Sequence, residues 1–189
     1  MKELQPGTRV TMHLKVDSVK ITSNLWGERW SKLVQNSMGN GLSAASGMSN
    51  KQFTQNEITR RLSIRLAGEA VRVGQLQGLA LEKISGVKPE IWLAAAQELT
   101  TGANDTPVLD ELEGKMLVGA ENMSDTARPS MGQDMIKGRR TEIEFLNGLV
   151  VQQASELGME APANAGLIAA VQSVERGEKP AALESVQDI

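Results

Sequence analysis

The chain has 189 residues, a net charge of −3, 40% apolar and 23% charged residues, a composition that supports a sizeable core without covalent staples: a domain of this length buries roughly 70% of the surface that its unfolded form exposes. It contains no cysteine and a single histidine, His13, which excludes disulfides, thiolate metal sites and cysteine nucleophiles and speaks against metal sites built on several imidazoles and against a serine–histidine relay. The mildly acidic balance argues against nucleic acid as a partner, and with neither an apolar run of membrane-spanning length nor a signal-like opening, a soluble cytoplasmic protein is expected.

The chain opens on a strand pattern. Val10, Met12, Leu14 and Val16 alternate with polar residues, the period of a half-buried strand, and residues 19–22 are a second short candidate. His13 falls in the first of these as an ordinary strand residue. Strands need neighbours, so residues 1–22 are read as the remnant of a preceding sheet domain or a linker, with a self-contained hairpin as the alternative. From Leu25 the periodicity is helical. The first helix is expected over Leu25–Ser46, stopped by Gly47. A second opens at Thr54 with Glu57 completing a capping box, and Ile58, Leu62, Leu66, Ala70 and Val73 keep its core spacing. Pro89 and Pro107 suit first helical positions of two more helices. Ser130 with Gln133 and Thr141 with Glu144 are further capping-box patterns, and the helix after Thr141 stops at Gly158. Pro162 begins a last helix that ends near Gly177. Residues 178–189 read as a loose tail. Residues 23–177 therefore form an all-α domain.

One glycine pattern is deceptive. Gly39-Asn40-Gly41-Leu42-Ser43-Ala44 matches the dinucleotide fingerprint, but that fingerprint works between a strand and a helix, and here the preceding residues are themselves helical. The glycines are expected to permit close packing instead, leaving no cofactor-phosphate site in the chain.

Lys32, Asn36 and Asn40 recur at four-residue steps, so their side chains form one gently slanting stripe on the first helix. An ammonium beside two carboxamides is suited to a small oxygen-rich molecule; a solvated helix face is the plainer reading. Ser130 and Thr141 serve equally as caps, and Glu142 falls where the helix dipole favours an acid.

The segments Trp30-Ser-Lys-Leu-Val-x-Asn36 with Asn40, Pro129-Ser-Met-x-Gln-Asp134, Gly138-Arg-x-Thr-Glu-Ile143, Leu146-Asn-Gly148 and Ala161-Pro-x-Asn164 together resemble the C-terminal domain of ketopantoate reductases over about residues 19–176. The resemblance implies a multi-helix fold of the 6-phosphogluconate dehydrogenase C-terminal type, and reduction of ketopantoate to pantoate in pantothenate biosynthesis with NADPH bound by a separate Rossmann domain. It implies Lys32 and Glu142 as catalytic residues, with Glu142 also within reach of the cofactor, and Asn36, Asn40 and Ser130 as substrate contacts. The partners implied are a small 2-oxoacid, the Rossmann domain and, in a homodimer, a second copy. Gly41 departs from the proline usual after the second asparagine, and the stretch between Gly86 and Arg128 is long, so the substrate could differ within the 2-oxoacid class. The alternative is a free-standing helical dimerisation or interaction module derived from such a domain.

Overall fold

Apolar residues spaced by three and four, opened by proline and closed by glycine, dictate helices from Leu25 onward. The computed structural model describes residues 22–102 and 107–189; the candidate strands in residues 9–22 lie, apart from Thr22, outside the described residues. The helices are α1 (Leu25–Ser46), α2 (Asn50–Gln55), α3 (Glu57–Leu76), α4 (Pro89–Thr101), α5 (Pro107–Glu121), α6 (Ser130–Ile136), α7 (Ile143–Glu156) and α8 (Pro162–Glu175), followed by a 3-10 turn at Leu183–Ser185. Among the described residues there is no sheet, only an isolated bridge between Ile84 and Val87. The fold is all-α.

α1 is the spine. Its Trp30, Val34 and Met38 enter an apolar cluster with Ala67, Ala70 and Val71 of α3, Trp92 of α4, Leu109 and Leu112 of α5 and Val150 of α7. The Trp30 indole is satisfied there by donating to the Ala70 carbonyl at 2.9 Å. One turn on, Leu42, Ala44 and Ala45 enter a second cluster with Leu62 and Leu66 of α3, Met131 of α6, Ile143 of α7 and Leu167 and Val171 of α8. Small residues set the helix spacing. At Gly41 a Cβ would come within 2.8 Å of Leu167 Cδ2 and 2.9 Å of Ile143 Cδ1, so α7 and α8 approach the α1 backbone there.

Three expected caps are displaced. α2, opened by a capping box between Ser49 and Gln52, occupies the turn where Thr54 was expected to start a helix. Thr54 is buried and donates to the Asn50 carbonyl at 2.8 Å, while Asn56 caps α3 by accepting from the Thr59 amide at 3.2 Å. Ile58 is consequently exposed rather than in the core. Ser130 is the first helical residue of α6 behind Pro129, which takes the cap position, and Gln133 donates to the Arg128 carbonyl at 3.0 Å instead of closing a box. At α7 the cap position falls to Glu142. Thr141 is buried, its hydroxyl lacks a partner, and its amide donates to Glu175 of α8 at 2.6 Å. The tail differs too. Residues 178–189 are docked: the Ala182 amide donates to the Ala45 carbonyl at 3.1 Å, Arg65 donates to the Ile189 carbonyl at 2.7 Å, and Val186 is buried in the second cluster.

Candidate functional site

Lys32, Asn36 and Asn40 share one stripe of α1 because each four-residue step turns slightly more than one full helical turn. Lys32 is exposed and Asn36 and Asn40 are half-buried. Lys32 lines a shallow polar depression of about 450 Å³ with Glu28, Asn36, Glu82 and Lys83. The segment supplying Glu82 and Lys83 is tied to α1 by side chains: Ser31 accepts from the Glu82 amide at 2.8 Å, and Asn24 donates to the Ala80 carbonyl at 2.7 Å. At Gly27 this segment crosses so closely that a Cβ would overlap the Ala80 carbonyl.

Asn36 also lines a second, deeper cavity of about 440 Å³, which Asn40 and Asn50 share. The stripe therefore leads from the depression, past Asn36, into the cavity. The cavity floor at Gly39 is formed by helix backbone against the Phe53 ring, whose Cζ lies 3.0 Å from where a Cβ would stand. A tight turn holds the side facing α4. Ser85 and Gly86 have positive φ (49° and 79°), the signature of a turn with both central residues left-handed, and Trp92 donates its indole N–H to the Ile84 carbonyl at 3.2 Å. α5 adds Lys115, Met116 and Gly119. Lys115 bonds Glu111 at 2.6 Å; this hydrogen bond first, and the ammonium charge second, hold the Glu111 carboxyl below its ordinary range.

Ser130 is exposed at the start of α6, next to Pro129, which lines the cavity. α6 reaches this position because Gly132 packs directly on Ser43 of α1. Glu142 is exposed and lines neither the depression nor the cavity; its neighbour Ile143 is what contacts α1, at Gly41. The structure thus brings Lys32 to Asn36 and Asn36 to Asn40, sets Ser130 beside the rim, and leaves Glu142 outside both hollows. Sequence reasoning missed Asn50, although Ser49-x-x-Gln52 is itself a capping-box pattern and marks a helix that would present it. The cavity-lining Phe53, Trp92 and Met116 carry no such local signal. Among the described residues no cluster of acids and histidine could hold a metal ion, and no helix is long and apolar enough to cross a membrane.

Residues 24–175 match the family described as ketopantoate reductase PanE/ApbA C terminal. The chain belongs to this family. It is similar to the 2-dehydropantoate 2-reductase of Pyrococcus horikoshii, 26% identical over 156 residues, which cover 82% of this chain and 42% of the relative. The enzyme of the same name from Archaeoglobus fulgidus is 28% identical over 148 residues, covering 78% and 40%. The chain spans about two fifths of the length of these curated relatives. Among solved structures, a PanE/ApbA family ketopantoate reductase from Ralstonia eutropha superposes with a TM-score of 0.60 at 25% identity, over 83% of this chain and 43% of that one. D-mandelate dehydrogenase in a ternary structure with NADH and anilino(oxo)acetate shares the fold, with a TM-score of 0.60 at 18% identity over 82% and 43%. In all of these the match is to one portion of a longer oxidoreductase.

Proposed function

We infer that this chain is the substrate-binding and acid-catalysis domain of an NADPH-dependent 2-oxoacid reductase, with 2-dehydropantoate as the reference substrate and pantothenate biosynthesis as the reference setting in the cytoplasm. The observation that carries the reading is the Lys32–Asn36–Asn40 stripe, which joins an open polar depression to a less open, more apolar hollow. In this reading Asn36 and Asn40 hold the oxoacid by their carboxamides, and Ser130 meets its carboxylate from the rim. Lys32 donates a proton to the ketone oxygen, where its charge also stabilises the nascent alkoxide; such a general acid contributes about 10²- to 10⁴-fold. Glu142, which the family resemblance implies as a second catalytic acid, stands outside both hollows at the start of α7, so no contact with the oxoacid head is assigned to it.

The fingerprint-like stretch at Gly39–Ala44 does not fit a dinucleotide. The fingerprint-like glycines lie inside α1, where Gly39 accommodates the Phe53 ring and Gly41 the side chains of Ile143 and Leu167. The nicotinamide, whose chemistry is hydride delivery, would therefore be held by a nucleotide-binding domain outside the described residues. Positioning beside that domain supplies much of the rate. Following nicotinamide absorbance with this chain, NADPH and 2-dehydropantoate should show negligible turnover, and adding the family's nucleotide-binding half should restore it. Lys32→Ala should lower the restored rate by about 10²- to 10⁴-fold. A restored rate indifferent to Lys32 would overturn the acid assignment, and lysine-dependent turnover by the chain alone would overturn the need for a second domain.

A second reading, a helical dimerisation or interaction module, draws support from large apolar side chains left on the surface: Phe145 is 74%, Ile136 68% and Trp26 66% exposed. Side chains of this kind would mark an interaction surface where they form one contiguous patch. Sizing in solution separates the readings, since a monodisperse homodimer without rescue by a nucleotide-binding half favours the module.

A further inference from the structure

α2 is six residues long, too short to keep helical shape by its own hydrogen bonds, yet it supplies Asn50, Phe53 and Thr54 to the cavity. Its start is fixed by the Ser49–Gln52 capping box and by the Asn50 amide, which donates to the Ala127 carbonyl at 3.0 Å. Its end is fixed from α3. Thr59 donates its hydroxyl to the Phe53 carbonyl at 2.6 Å, and Arg60 Nη1 donates to the Thr54 and Gln55 carbonyls at 3.2 and 3.1 Å. Extended backbone at Asn56 takes those two carbonyls out of the helical ladder, so a side chain must meet them. The same guanidinium reaches α5. Its Nε donates to Glu113 Oε1 at 2.8 Å, and Arg61 donates to the two oxygens of that carboxylate at 3.3 and 3.4 Å. Glu113 stands one turn before Met116, which with Lys115 and Gly119 carries α5 into the cavity wall. The side chains of Arg60 and Glu113 are at most 10% exposed, and neither lines the cavity or the depression. One fork thus ties two cavity walls together from behind. Stability alone does not call for such a pair, because both charges must leave water and well-packed apolar side chains of similar volume often do as well. What a planar guanidinium adds is direction, since its donors leave at fixed angles and meet two carbonyls and a carboxylate at once.

We propose that Arg60, paired with Glu113, is a positioning residue for 2-oxoacid recognition: it sets α2 and α5 at the separation from α1 at which the cavity walls meet a ligand seated on Asn36 and Asn40. The proposal rests on the Lys32–Asn36–Asn40 stripe being the substrate face. Arg60 itself touches no substrate. It acts through the placement of α2 and α5, and a misplacement of about 1 Å caused far from the chemistry can cost about 10²-fold.

The test is a titration of the full chain with 2-dehydropantoate, followed by nuclear magnetic resonance, in Arg60→Lys and in the double variant Arg60→Met with Glu113→Met. Arg60→Lys keeps a positive charge beside Glu113 and gives up the fork. The double variant removes both charges and leaves Arg61 its contact with Glu57 at 2.9 Å, so it should unfold at a higher urea midpoint than Arg60→Met alone. Both should keep the native helix content and bind about ten- to a hundredfold more weakly, with faster amide exchange confined to α2 and α5. If the double variant does not fold, Arg60→Lys decides. With the nucleotide-binding half added, the variants should raise KM and leave kcat unchanged, the mark of binding lost equally from ground and transition states, whereas Lys32→Ala lowers kcat. Native affinity in a folded variant, with Asn36→Ala still weakening the ligand, would overturn the positioning role and leave the 2-oxoacid reading standing. A lower kcat at unchanged KM would overturn it as well. If millimolar 2-dehydropantoate shifted no resonance of the native chain, or Asn36→Ala bound it as tightly, the substrate-face reading would fall and the positioning role with it.

Discussion

Asn147 is fully buried on α7 and joins three helices through one carboxamide. Its NH₂ donates to the Ser37 carbonyl of α1 at 3.1 Å and to Asn164 Oδ1 of α8 at 2.8 Å. Asn164 in turn donates to Glu69 Oε2 of α3 at 2.7 Å, and the Glu69 carboxylate accepts the Ala163 and Asn164 amides at 2.8 and 3.0 Å, which caps the start of α8 as an acid does at any helix N-terminus. Removing the α7 end of this chain leaves the buried Asn164 Oδ1 without its donor, while the Ser37 carbonyl keeps its place in the α1 ladder. Asn147→Ala is expected to cost about 2–4 kcal/mol, from lost hydrogen bonds and the void together, read as a lower urea midpoint at unchanged slope; a loss below about 0.5 kcal/mol would show that the network is ornamental. At the other end of α8, the Arg176 hydrogen bond first and that of Ser173 second lower the Glu178 carboxyl to about 2. A carboxyl lowered on folding stabilises above its ordinary value and loses that contribution as pH falls through the lowered one. The carboxyl resonance of Glu178 should thus titrate near pH 2, and Arg176→Ala should return its midpoint towards the ordinary carboxylate range.

Helix packing turns on single atoms. α3 and α4 lie against each other so closely at Gly68 that a Cβ there would overlap the Ala96 methyl. Gly68→Ala is expected to destabilise by about 1–3 kcal/mol, and adding Ala96→Gly should recover part of that loss in a double-mutant cycle; additive costs would place the strain elsewhere. The same elements show what sequence could and could not reveal. α1 was legible to the residue, since Gly47 with φ of 70° ends it and its apolar spacing is regular. Pro89, Pro107 and Pro162 likewise marked the first turns of α4, α5 and α8. The caps at Thr54, Ser130 and Thr141 were misplaced because Ser, Thr and Asn all cap well, and tertiary neighbours such as Glu175 choose among adjacent candidates. The stripe of Lys32, Asn36 and Asn40 was legible because helical period maps sequence spacing onto one face. The remaining cavity wall was not, for Asn50, Trp92 and Met116 come from three further helices and meet only through packing. Glu142 was singled out by family resemblance, and the helix start that carries it lies beside Gly41 rather than on the cavity.

At the scale of the molecule, α1 and α3 each run through both apolar clusters, so the clusters are mechanically joined although their side chains are distinct. The docked residues 178–189 belong wholly to the second cluster: Val186 is buried, and Leu183 and Ile189 pack on it, with Ile189 Cγ2 2.8 Å from the position of a Cβ on Gly166. Trp30 and Trp92 lie in the first cluster, so their fluorescence reports a region that the tail does not touch. Ending the chain at Gly177 would uncover α1 at Ala45 and α8 at Gly166 and forfeit burial of about 1.5–3 kcal/mol per large apolar side chain when fully buried. The truncated chain is expected to lose about 2–5 kcal/mol in urea denaturation. Because the two long helices cross both clusters, tryptophan fluorescence and far-ultraviolet circular dichroism should still fall together at the lower midpoint. Separate transitions, with the tryptophan signal keeping its original midpoint, would mean that the cluster beside the candidate site folds independently of the one the tail completes. Coincident transitions would mean that the tail, remote from Lys32, sets the stability of the surface that presents it.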